Sequence, residues 1–267
     1  MKIGALIPIR LRSERLPNKA LLEICERPVC YHLFDRVCAS RFIEKPSDVI
    51  VCTTTDESDD PLIEIVEEYG CSVFRGDQFD IVSRFAAAME LHGLDYVIQA
   101  DGDDPLSATE YMDITMEYLL SHPTIDIVTV AKLPIGCATK SFSKSAMNKV
   151  LGSYLSREND TGFIYYFTKT GICEHHEIVC TNPNHQHSTV RLTLDYPADL
   201  QLFRAVLGAK DSSDKIVSHE EIIEIVKANA DLVKINSNVI EEYWMRTAEK
   251  VRLDFKTSSG VIRTVEL

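Results

Sequence analysis

Short apolar runs alternate with amphipathic stretches through the first half of the chain, and this alternation constrains the fold more than any other feature. The run from Lys2 to Ile7 is followed, after a loop, by the helical stretch PVCYHLFDRVCAS. The strand-like runs DVIVCTTT, CSVFRG, DYVIQ and DIVTVAKL then alternate with the helical stretches DDPLIEIVEEYG, FDIVSRFAAAMELHG and YMDITMEYLLSH. Strands and helices that alternate through short connections predict an α/β fold with a doubly wound, mostly parallel sheet.

The pattern weakens in residues 133–189 and then returns. We expect this weaker segment to be an arm or lid inserted in the domain. The stretch STVRLTLDYPADLQLFRAVLG predicts a strand and a helix, and SHEEIIEIVKANADLV predicts one more helix, with a capping box of Ser218 and Glu221. We therefore expect one domain over residues 1–235 and a C-terminal extension over 236–267, which is amphipathic and offers no recognisable chemistry.

The charge balance argues against several classes of partner. Lys and Arg number 28 and Asp and Glu number 41, which gives a net charge of −13 over 267 residues. Such a surface repels polyanions, so we expect neither nucleic acid nor a membrane as a partner. No window approaches the roughly 20 apolar residues of a membrane span, and MKIGALIPIR does not resemble a signal peptide. Eight cysteines without a CxxC pair predict reduced, mostly buried thiols in a cytoplasmic protein.

A basic loop follows the first predicted strand of this acidic chain. The segment IPIRLRSERLPNK carries its polar side chains at Arg10, Arg12, Ser13, Arg15 and Lys19. Guanidinium and ammonium groups at a strand-to-helix turn bind phosphate oxygens, and the free amides of the following helix add to this binding. A solvated basic loop is the alternative. The segment is neither a P-loop nor a dinucleotide-binding turn, because both GxxxxGK[ST] and GxGxxG are absent.

Carboxylates follow two other predicted strands. The turn QADGDDPL supplies Asp101, Asp103 and Asp104, and LTLDYPADL supplies Asp195. A hard cation such as Mg²⁺ relieves the repulsion among clustered carboxylates. Because ligands of doubly wound sheets bind at the carboxyl ends of the strands, we expect the acidic residues and the basic loop to share one crevice. The alternatives are a solvated Asp-rich turn and, for Asp195, a helix N-cap.

A third polar cluster lies in the segment CEHHEIVCTNPNHQH, from Cys173 to His187. Structural zinc sites show regularly spaced Cys and His pairs, and the spacing here is irregular. We expect a polar hairpin whose imidazoles face water or a partner subunit, and a zinc site is the alternative.

Four stretches, in this order, resemble the cytidylyltransferase family: IPIRLRSERLPNKALLEICERPVCYHLFDRV, DDPLIEIVEEYGCSVFRG, DGDDPL and RLTLDYPADLQLF. That family contains the CMP-Kdo and CMP-acylneuraminate synthetases, and over residues 1–235 the chain is most similar to its branch of SpsF-like spore-coat polysaccharide proteins. The resemblance implies a Rossmann-like fold of the nucleotide-diphospho-sugar transferase type. It also implies CTP as donor, Mg²⁺ as cofactor and a homodimer formed through the inserted arm.

The resemblance assigns roles to positions of this chain. Lys19, Arg15 and Asp103 are the expected catalytic residues, and Asp103 and Asp195 are the expected Mg²⁺ ligands. The expected nucleotide-binding residues are Pro8, Ile9, Arg10, Arg12, Ser13, Arg15, Lys19, Arg75, Gly76, Gln99 and Asp101.

Two positions of the basic loop depart from the family pattern. The family usually has glycine or alanine where this chain has Arg12, and glycine where it has Asn18. Glycine permits a positive φ, which asparagine tolerates better than arginine does. We therefore expect a loop of different shape. Tyr196 replaces a usual threonine, a minor change.

The implied reaction is the transfer of CMP from CTP to a sugar-like acid of the Kdo or nonulosonate type, or to a related small acidic or phosphorylated acceptor. Pyrophosphate is released, and the product serves surface polysaccharide or glycoconjugate biosynthesis. Lys140, Lys144 and Arg157 are candidates for binding the acceptor's carboxylate, although each has the alternative of a plain surface charge. One rival is a metal-dependent glycosyltransferase that uses the D-x-D of Asp101 and Asp103. The other is a nucleotide-binding relative without catalytic activity.

Overall fold

The computed structural model describes residues 1–209 and 216–266. Its strands are β1 (Ile3–Pro8), β2 (Glu23–Ile24), β3 (Arg27–Pro28), β4 (Val49–Thr54), β5 (Ser72–Gly76), β6 (Tyr96–Gln99), β7 (Ile127–Ala131), β8 (Lys140–Ser143), β9 (His175–Val179), β10 (Arg252–Lys256) and β11 (Ile262–Glu266). Its helices are α1 (Val29–Cys38), α2 (Asp60–Tyr69), α3 (Ile81–His92), α4 (Thr109–Ser121), α5 (Lys144–Leu151), α6 (Tyr165–Thr168), α7 (Pro197–Gly208), α8 (His219–Ala228), α9 (Ala230–Lys234) and α10 (Ile240–Lys250).

The main sheet has seven strands in the order β5-β4-β1-β6-β8-β7-β9. Neighbouring strands are parallel except at β8, which runs antiparallel to both β6 and β7. The predicted mixed, mostly parallel, doubly wound sheet is confirmed. Because β8 is reversed, its first residue, Lys140, pairs with Gln99 at the edge where β6 ends. Lys140, the first residue of β8, therefore lies at the sheet edge where the parallel strands have their carboxyl ends.

The two faces of the sheet carry separate apolar clusters. Leu6 packs in one cluster with Phe85 of α3, and its neighbour Ile7 packs in the other with Phe34 of α1. Successive side chains of a strand point to opposite faces, so β1 needs a continuous apolar run to fill both clusters. The run Lys2–Ile7 has this composition because helices cover both faces of the sheet.

Several local predictions are confirmed and others are wrong. The capping box of Ser218 and Glu221 is present at the start of α8. The single helix predicted there is divided at Asn229, whose side chain caps α9. The strand predicted in STVRLTLD is not formed, and the stretch makes an isolated bridge between Ile135 and Arg191 instead. Tyr196, not Asp195, is the N-cap residue of α7.

The weakly patterned segment and the tail both contribute to the folded body. Residues 133–189 supply β8 and β9 to the main sheet. The C-terminal hairpin β10-β11 docks on the same segment, where Phe255 forms an antiparallel bridge to Tyr154. Val251 and Leu253 are buried in the apolar cluster of that region. The domain boundaries and the role of 133–189 as an arm or lid stay predictions.

The cysteines match their prediction. All eight are free, and all are buried except Cys25, which is exposed, and Cys38, which is partly buried. Within residues 1–209 and 216–266, no helix combines the length and apolar character that crossing a membrane requires.

Candidate active site

The basic loop leaves the carboxyl end of β1 and is held there by a buried carboxylate. Leu11 donates its N–H to Oδ1 of Asp59 at 2.7 Å. The other oxygen of Asp59 accepts hydrogen bonds from the hydroxyls of Thr53 and Thr54. The loop is thereby fixed to the end of β4. Sequence reasoning missed Asp59, because a buried carboxylate before a helix looks like an ordinary solvated acid.

Asn18 closes the loop in a left-handed conformation. Its φ is 55° and its ψ is 26°, and its N–H donates to the carbonyl of Leu11 at 3.1 Å. This is the conformation that the usual glycine favours, and asparagine adopts it at modest cost. Arg12 is not among the residues with positive φ. The arginine therefore places no left-handed strain on the loop.

Lys19 lies between two carboxylates that come from distant segments. Its Nζ is 2.9 Å from Oδ2 of Asp103, in the turn after β6, and 3.0 Å from Oδ1 of Asp195, before α7. Arg15 also bonds Oδ1 of Asp195, at 2.7 Å, and the hydroxyl of Tyr196, at 3.1 Å. The structure thus brings the basic loop and the acidic residues together as predicted, although Asp195 comes from a segment that forms no strand. Lys19, Arg15, Asp103 and Asp195 form the central cluster.

The two carboxylates of the central cluster differ in their proton affinity. Burial raises the pKa of Asp103, and the charges of Asp195 and Asp101 raise it further, so that Lys19 does not restore the usual pKa. Burial acts in the same direction on Asp195, but Lys19, Arg15 and Arg191 together hold its pKa below the usual range. Three cations therefore favour the ionised form of Asp195, whereas Asp103 has Lys19 as its cation and two other carboxylates nearby.

Arg191 holds the carboxylate of Asp195 from the interior of the protein. Its side chain is fully buried and bonds Oδ2 of Asp195 at 2.6 Å and Oδ2 of Asp199 at 2.7 Å. Asp199 in turn accepts the N–H groups of Asp195 and Tyr196, both at 2.8 Å. Removing this cation would leave buried charge without a partner. Sequence reasoning missed Arg191, although a lone arginine in the apolar run VRLTL was an available signal.

Lys140 is a further cation near the acidic turn, on the side of β6 where β8 pairs. Gln99 donates to Oδ1 of Asp101 at 2.9 Å, and Lys140 bonds the other oxygen of Asp101. The side chain of Lys140 is 17% exposed, so its alternative as a plain surface charge is wrong. Lys144 instead pairs with Glu90 at the surface. Reversal of β8 is what brings Lys140 to this edge.

The remaining predicted nucleotide residues pair outside the central cluster. Arg10 bonds Asp160, and Arg12 bonds Asp56 at 3.0 Å. The guanidinium of Arg75 bonds Asp60 at 2.8 Å and donates to the carbonyl oxygens of Thr54, at the end of β4, and Asp56. In the same region, the hydroxyl of Ser13 accepts the N–H of Leu16, and Gly76 ends β5. Pro8 and Ile9 lie at the end of β1, where Gly102 of the acidic turn approaches them closely.

The central cluster fits a divalent cation. Oxygens of Asp103 and Asp195 already converge within 3.0 Å of one positive group, the Nζ of Lys19. Mg²⁺ is typically held by one or two carboxylates together with water and substrate phosphates. Asp103 and Asp195 could therefore hold Mg²⁺ once Lys19 exchanges its partners.

The Cys173–His187 segment uses its polar side chains in other ways. His176 stacks on Tyr118 with ring centroids 4.2 Å apart, and His175 shares a 2.7 Å hydrogen bond with Thr129. Across the described parts of the chain, no group of three or more His, Cys, Asp or Glu residues is arranged to hold a metal. The prediction of a polar hairpin is wrong: residues His175–Val179 form β9, which pairs in parallel with β7, and His175 and His176 contact side chains of this chain.

Comparison with known proteins identifies the family. The sequence model of a family described as cytidylyltransferase matches residues 4–166. The chain is 30% identical over 256 residues to an uncharacterized protein of Methanocaldococcus jannaschii, covering 93% of this chain and 100% of that one. It is 29% identical over 152 residues to 3-deoxy-manno-octulosonate cytidylyltransferase of Pelobacter propionicus, which is 56% of either chain. It is 23% identical to the spore coat polysaccharide biosynthesis protein SpsF of Bacillus subtilis over 228 residues, 85% of this chain and 94% of SpsF.

Solved structures agree in fold. A cytidylyltransferase from Leptospira borgpetersenii superposes with a TM-score of 0.78 at 25% identity, over 87% of this chain and 97% of that one. A CMP:2-keto-3-deoxy-manno-octonic acid synthetase solved with CTP superposes with a TM-score of 0.60 at 18% identity, over 78% of this chain and 99% of that one. Because the family model spans more than half of its length, the chain belongs to the cytidylyltransferase family and is a CTP-dependent nucleotidyltransferase.

Proposed function

We propose that the enzyme transfers CMP from CTP to a small acidic sugar, or to a related acidic or phosphorylated acceptor, and releases pyrophosphate. The observation that carries this proposal is the convergence of Lys19 with Asp103 and Asp195. A triphosphate needs positive charge from the protein, and the metal ion that accompanies it needs carboxylates. The central cluster offers both at one strand edge.

The chemistry asks the protein for positioning and charge stabilisation. An acceptor oxygen attacks the α-phosphorus of CTP, the bond to the bridging oxygen breaks, and pyrophosphate leaves with the electron pair. Arg15 and Lys19 are placed to neutralise the charge that develops on pyrophosphate. Asp103 and Asp195 would hold Mg²⁺, which supplies further charge neutralisation at the phosphates when bound.

Binding of CTP exchanges ion-pair partners in the central cluster. In the structure Lys19 is held by Asp103 and Asp195, and Arg15 is held by Asp195. Phosphate oxygens take the place of the carboxylates as partners of these cations. The released carboxylates then have free oxygens for the metal. The ion pairs thus keep the cations in position before the nucleotide arrives.

The strand order supports an acceptor site on the side of β8. Arg75 and Gly76, two of the expected nucleotide-binding residues, end β5, while the basic loop follows β1 and the acidic turn follows β6. Along this order the next strand after β6 is β8, which begins with Lys140. We infer that Lys140 binds the carboxylate or phosphate of the acceptor. The acidic sugar in the name of the Pelobacter propionicus relative supports this acceptor class.

We also propose that segment 133–189 forms a homodimer contact. Among residues 1–209 and 216–266, β9 pairs with one strand only and so lies at the edge of the main sheet. Val179, Leu151 and Leu155 are exposed apolar side chains of the same segment. Sedimentation of the protein and of Val179→Lys tests the contact. A shift to monomer in the variant supports it, and a wild-type monomer at all concentrations contradicts it.

The proposed reaction is tested by a pyrophosphate-release screen. CTP, UTP, ATP and GTP are each combined with a panel of keto-acid sugars and sugar phosphates in the presence of Mg²⁺. Release with CTP and an acidic acceptor alone supports the proposal. Release of UDP from a UDP-sugar supports the glycosyltransferase alternative. A rise in melting temperature with CTP, but no pyrophosphate with any acceptor, supports the non-catalytic alternative.

A further inference from the structure

The C-terminal helix α10 contacts both parts of the candidate site. The ring of Tyr243 lies against Arg191, whose Cζ is 4.5 Å from the ring centroid. Arg246, one turn further along, bonds Glu14 at 2.7 Å. Arg191 holds Asp195, and Glu14 lies in the basic loop directly before Arg15. The helix is thereby joined to a metal-site carboxylate and to the phosphate loop.

The ends of the helix are anchored and its middle is lightly packed. Before the helix, the buried Asn236 donates to the carbonyl of Arg191 at 3.0 Å and to Asp199 at 2.8 Å. After the helix, Val251 and Leu253 are buried in the apolar core. No residue of α10 itself is buried. A segment with firm ends and few buried contacts can move locally without unfolding the rest.

The hydroxyl of Tyr243 is free to bind a ligand. Within residues 1–209 and 216–266 it makes no hydrogen bond to another group. The partial burial of Tyr243 raises its pKa, and the charges of Asp103, Asp104 and Asp195 raise it further. The hydroxyl is therefore a neutral donor on a ring that contacts Arg191, and Arg191 bonds Asp195 at 2.6 Å.

We propose that α10 is a cover that closes over CTP, with the Tyr243 hydroxyl donating a hydrogen bond to a phosphate oxygen. This inference rests on the proposed function, because it places the triphosphate at the central cluster. Phosphates that draw Arg15 toward them also move Glu14, and Glu14 is bonded to Arg246 on the helix. An exposed ion pair of this kind contributes at most about 1 kcal/mol, so it adjusts easily as the loop moves. Closure excludes water from the α-phosphorus.

Trp244 reports on this motion directly. It is the only tryptophan of the chain, it lies next to Tyr243 on α10, and it is 48% exposed. The experiment measures acrylamide quenching of its fluorescence with and without CTP and Mg²⁺, and CTP affinity by calorimetry. We expect CTP to lower the quenching constant of the wild type by about twofold as the helix closes.

Two variants and a control separate the parts of the proposal. Tyr243→Phe keeps the ring on Arg191 and removes the hydroxyl, so CTP affinity should fall by about fivefold to tenfold. Arg246→Met should bind CTP with little change in Trp244 quenching, because the link to the loop is lost. Lys250→Met, an exposed cation at the end of the same helix, should behave as the wild type.

The outcomes distinguish this inference from the proposed function. If calorimetry shows CTP binding while Trp244 quenching is unchanged and Tyr243→Phe binds CTP normally, the cover is wrong and the proposed function stands. If the wild type binds no CTP, both the cover and the proposed function are wrong. Circular dichroism confirms that each variant is folded.

Discussion

The Nζ atom of Lys19 lies 2.9 Å from Oδ2 of Asp103, and this contact joins residues 84 positions apart. Lys19→Ala removes the cation that we place against the departing pyrophosphate. Turnover should fall about 10²-fold or more, the range for loss of an electrostatic stabiliser. Pyrophosphate release measures the effect. Lys144→Ala, which breaks the surface pair with Glu90, is the matched control and should retain activity. Release of pyrophosphate at the wild-type rate from Lys19→Ala would show that Lys19 has no role in the reaction.

Asp103→Asn tests the metal site. The amide keeps the size of the side chain but lacks the charge that we expect Mg²⁺ to require, so turnover should again fall by about 10²-fold. In thermal unfolding with CTP present, Mg²⁺ should raise the melting temperature of the wild type more than that of the variant. Asp231→Asn, which lies in an exposed pair with Lys234, is the control. An equal Mg²⁺ response in Asp103→Asn and the wild type would contradict the assignment.

The backbone of Asn18 gives a prediction about stability. Its φ of 55° is costly for a residue with a branched side chain and free for glycine. Asn18→Gly should therefore leave the free energy of unfolding nearly unchanged, whereas Asn18→Val should lower it by about 1–2 kcal/mol. Urea denaturation measures both. Equal stability of the two variants would show that the loop does not need the left-handed conformation.

His219 predicts a pH dependence of stability. Burial lowers its pKa below the ordinary value of 6.5. The unfolded chain therefore takes up a proton near that value while the folded chain does not, so the free energy of unfolding falls as the pH drops through 6.5. His219→Gln should lose less stability than the wild type between about pH 7.5 and about pH 5.5, because glutamine does not titrate. An identical loss in both proteins, measured by urea denaturation, would show that His219 is not the group responsible.

The alternation of strands and helices predicts most of the architecture, because a doubly wound sheet requires it. The same logic predicts that Lys19 and Asp103 meet, since groups at the carboxyl ends of parallel strands share an edge. Asp195 joins them as predicted, although the strand expected before it is not formed. These predictions needed only local pattern and a general rule of topology.

Other parts of the site depend on contacts that no local sequence pattern predicts. Lys140 reaches the acidic turn because β8 is reversed, and reversal is decided by the packing of the whole sheet. In the sequence, Arg191 is a single charge in an apolar run, and only the structure shows that it pairs with Asp195 and Asp199. Tyr243 belongs to a C-terminal extension without a recognisable motif, and its contact with Arg191 joins residues far apart in the chain.

Gly102 ties the acidic turn to the end of β1, and its replacement gives the last prediction. A Cβ at this position would lie 2.4 Å from the carbonyl oxygen of Pro8 and 2.5 Å from Ile9. Gly102→Ala must therefore push the turn away from the basic loop, and the flanking Asp101 and Asp103 move with it. Displacement of reacting groups by a fraction of an ångström to 1 Å costs up to about 10²-fold in rate. We expect turnover to fall by about 10-fold to 100-fold while the protein stays folded.

Gly208→Ala is the matched control for this change. Gly208 ends α7, and a Cβ there meets no atom of residues 1–209 or 216–266 within 4 Å. Because alanine favours a helix more than glycine does, the control should gain up to about 1 kcal/mol in stability and keep its activity. Pyrophosphate release and urea denaturation of both variants provide the comparison. Normal turnover in Gly102→Ala would mean that catalysis tolerates a wider gap between the acidic turn and the loop, and the close approach at Pro8 would then have no catalytic role.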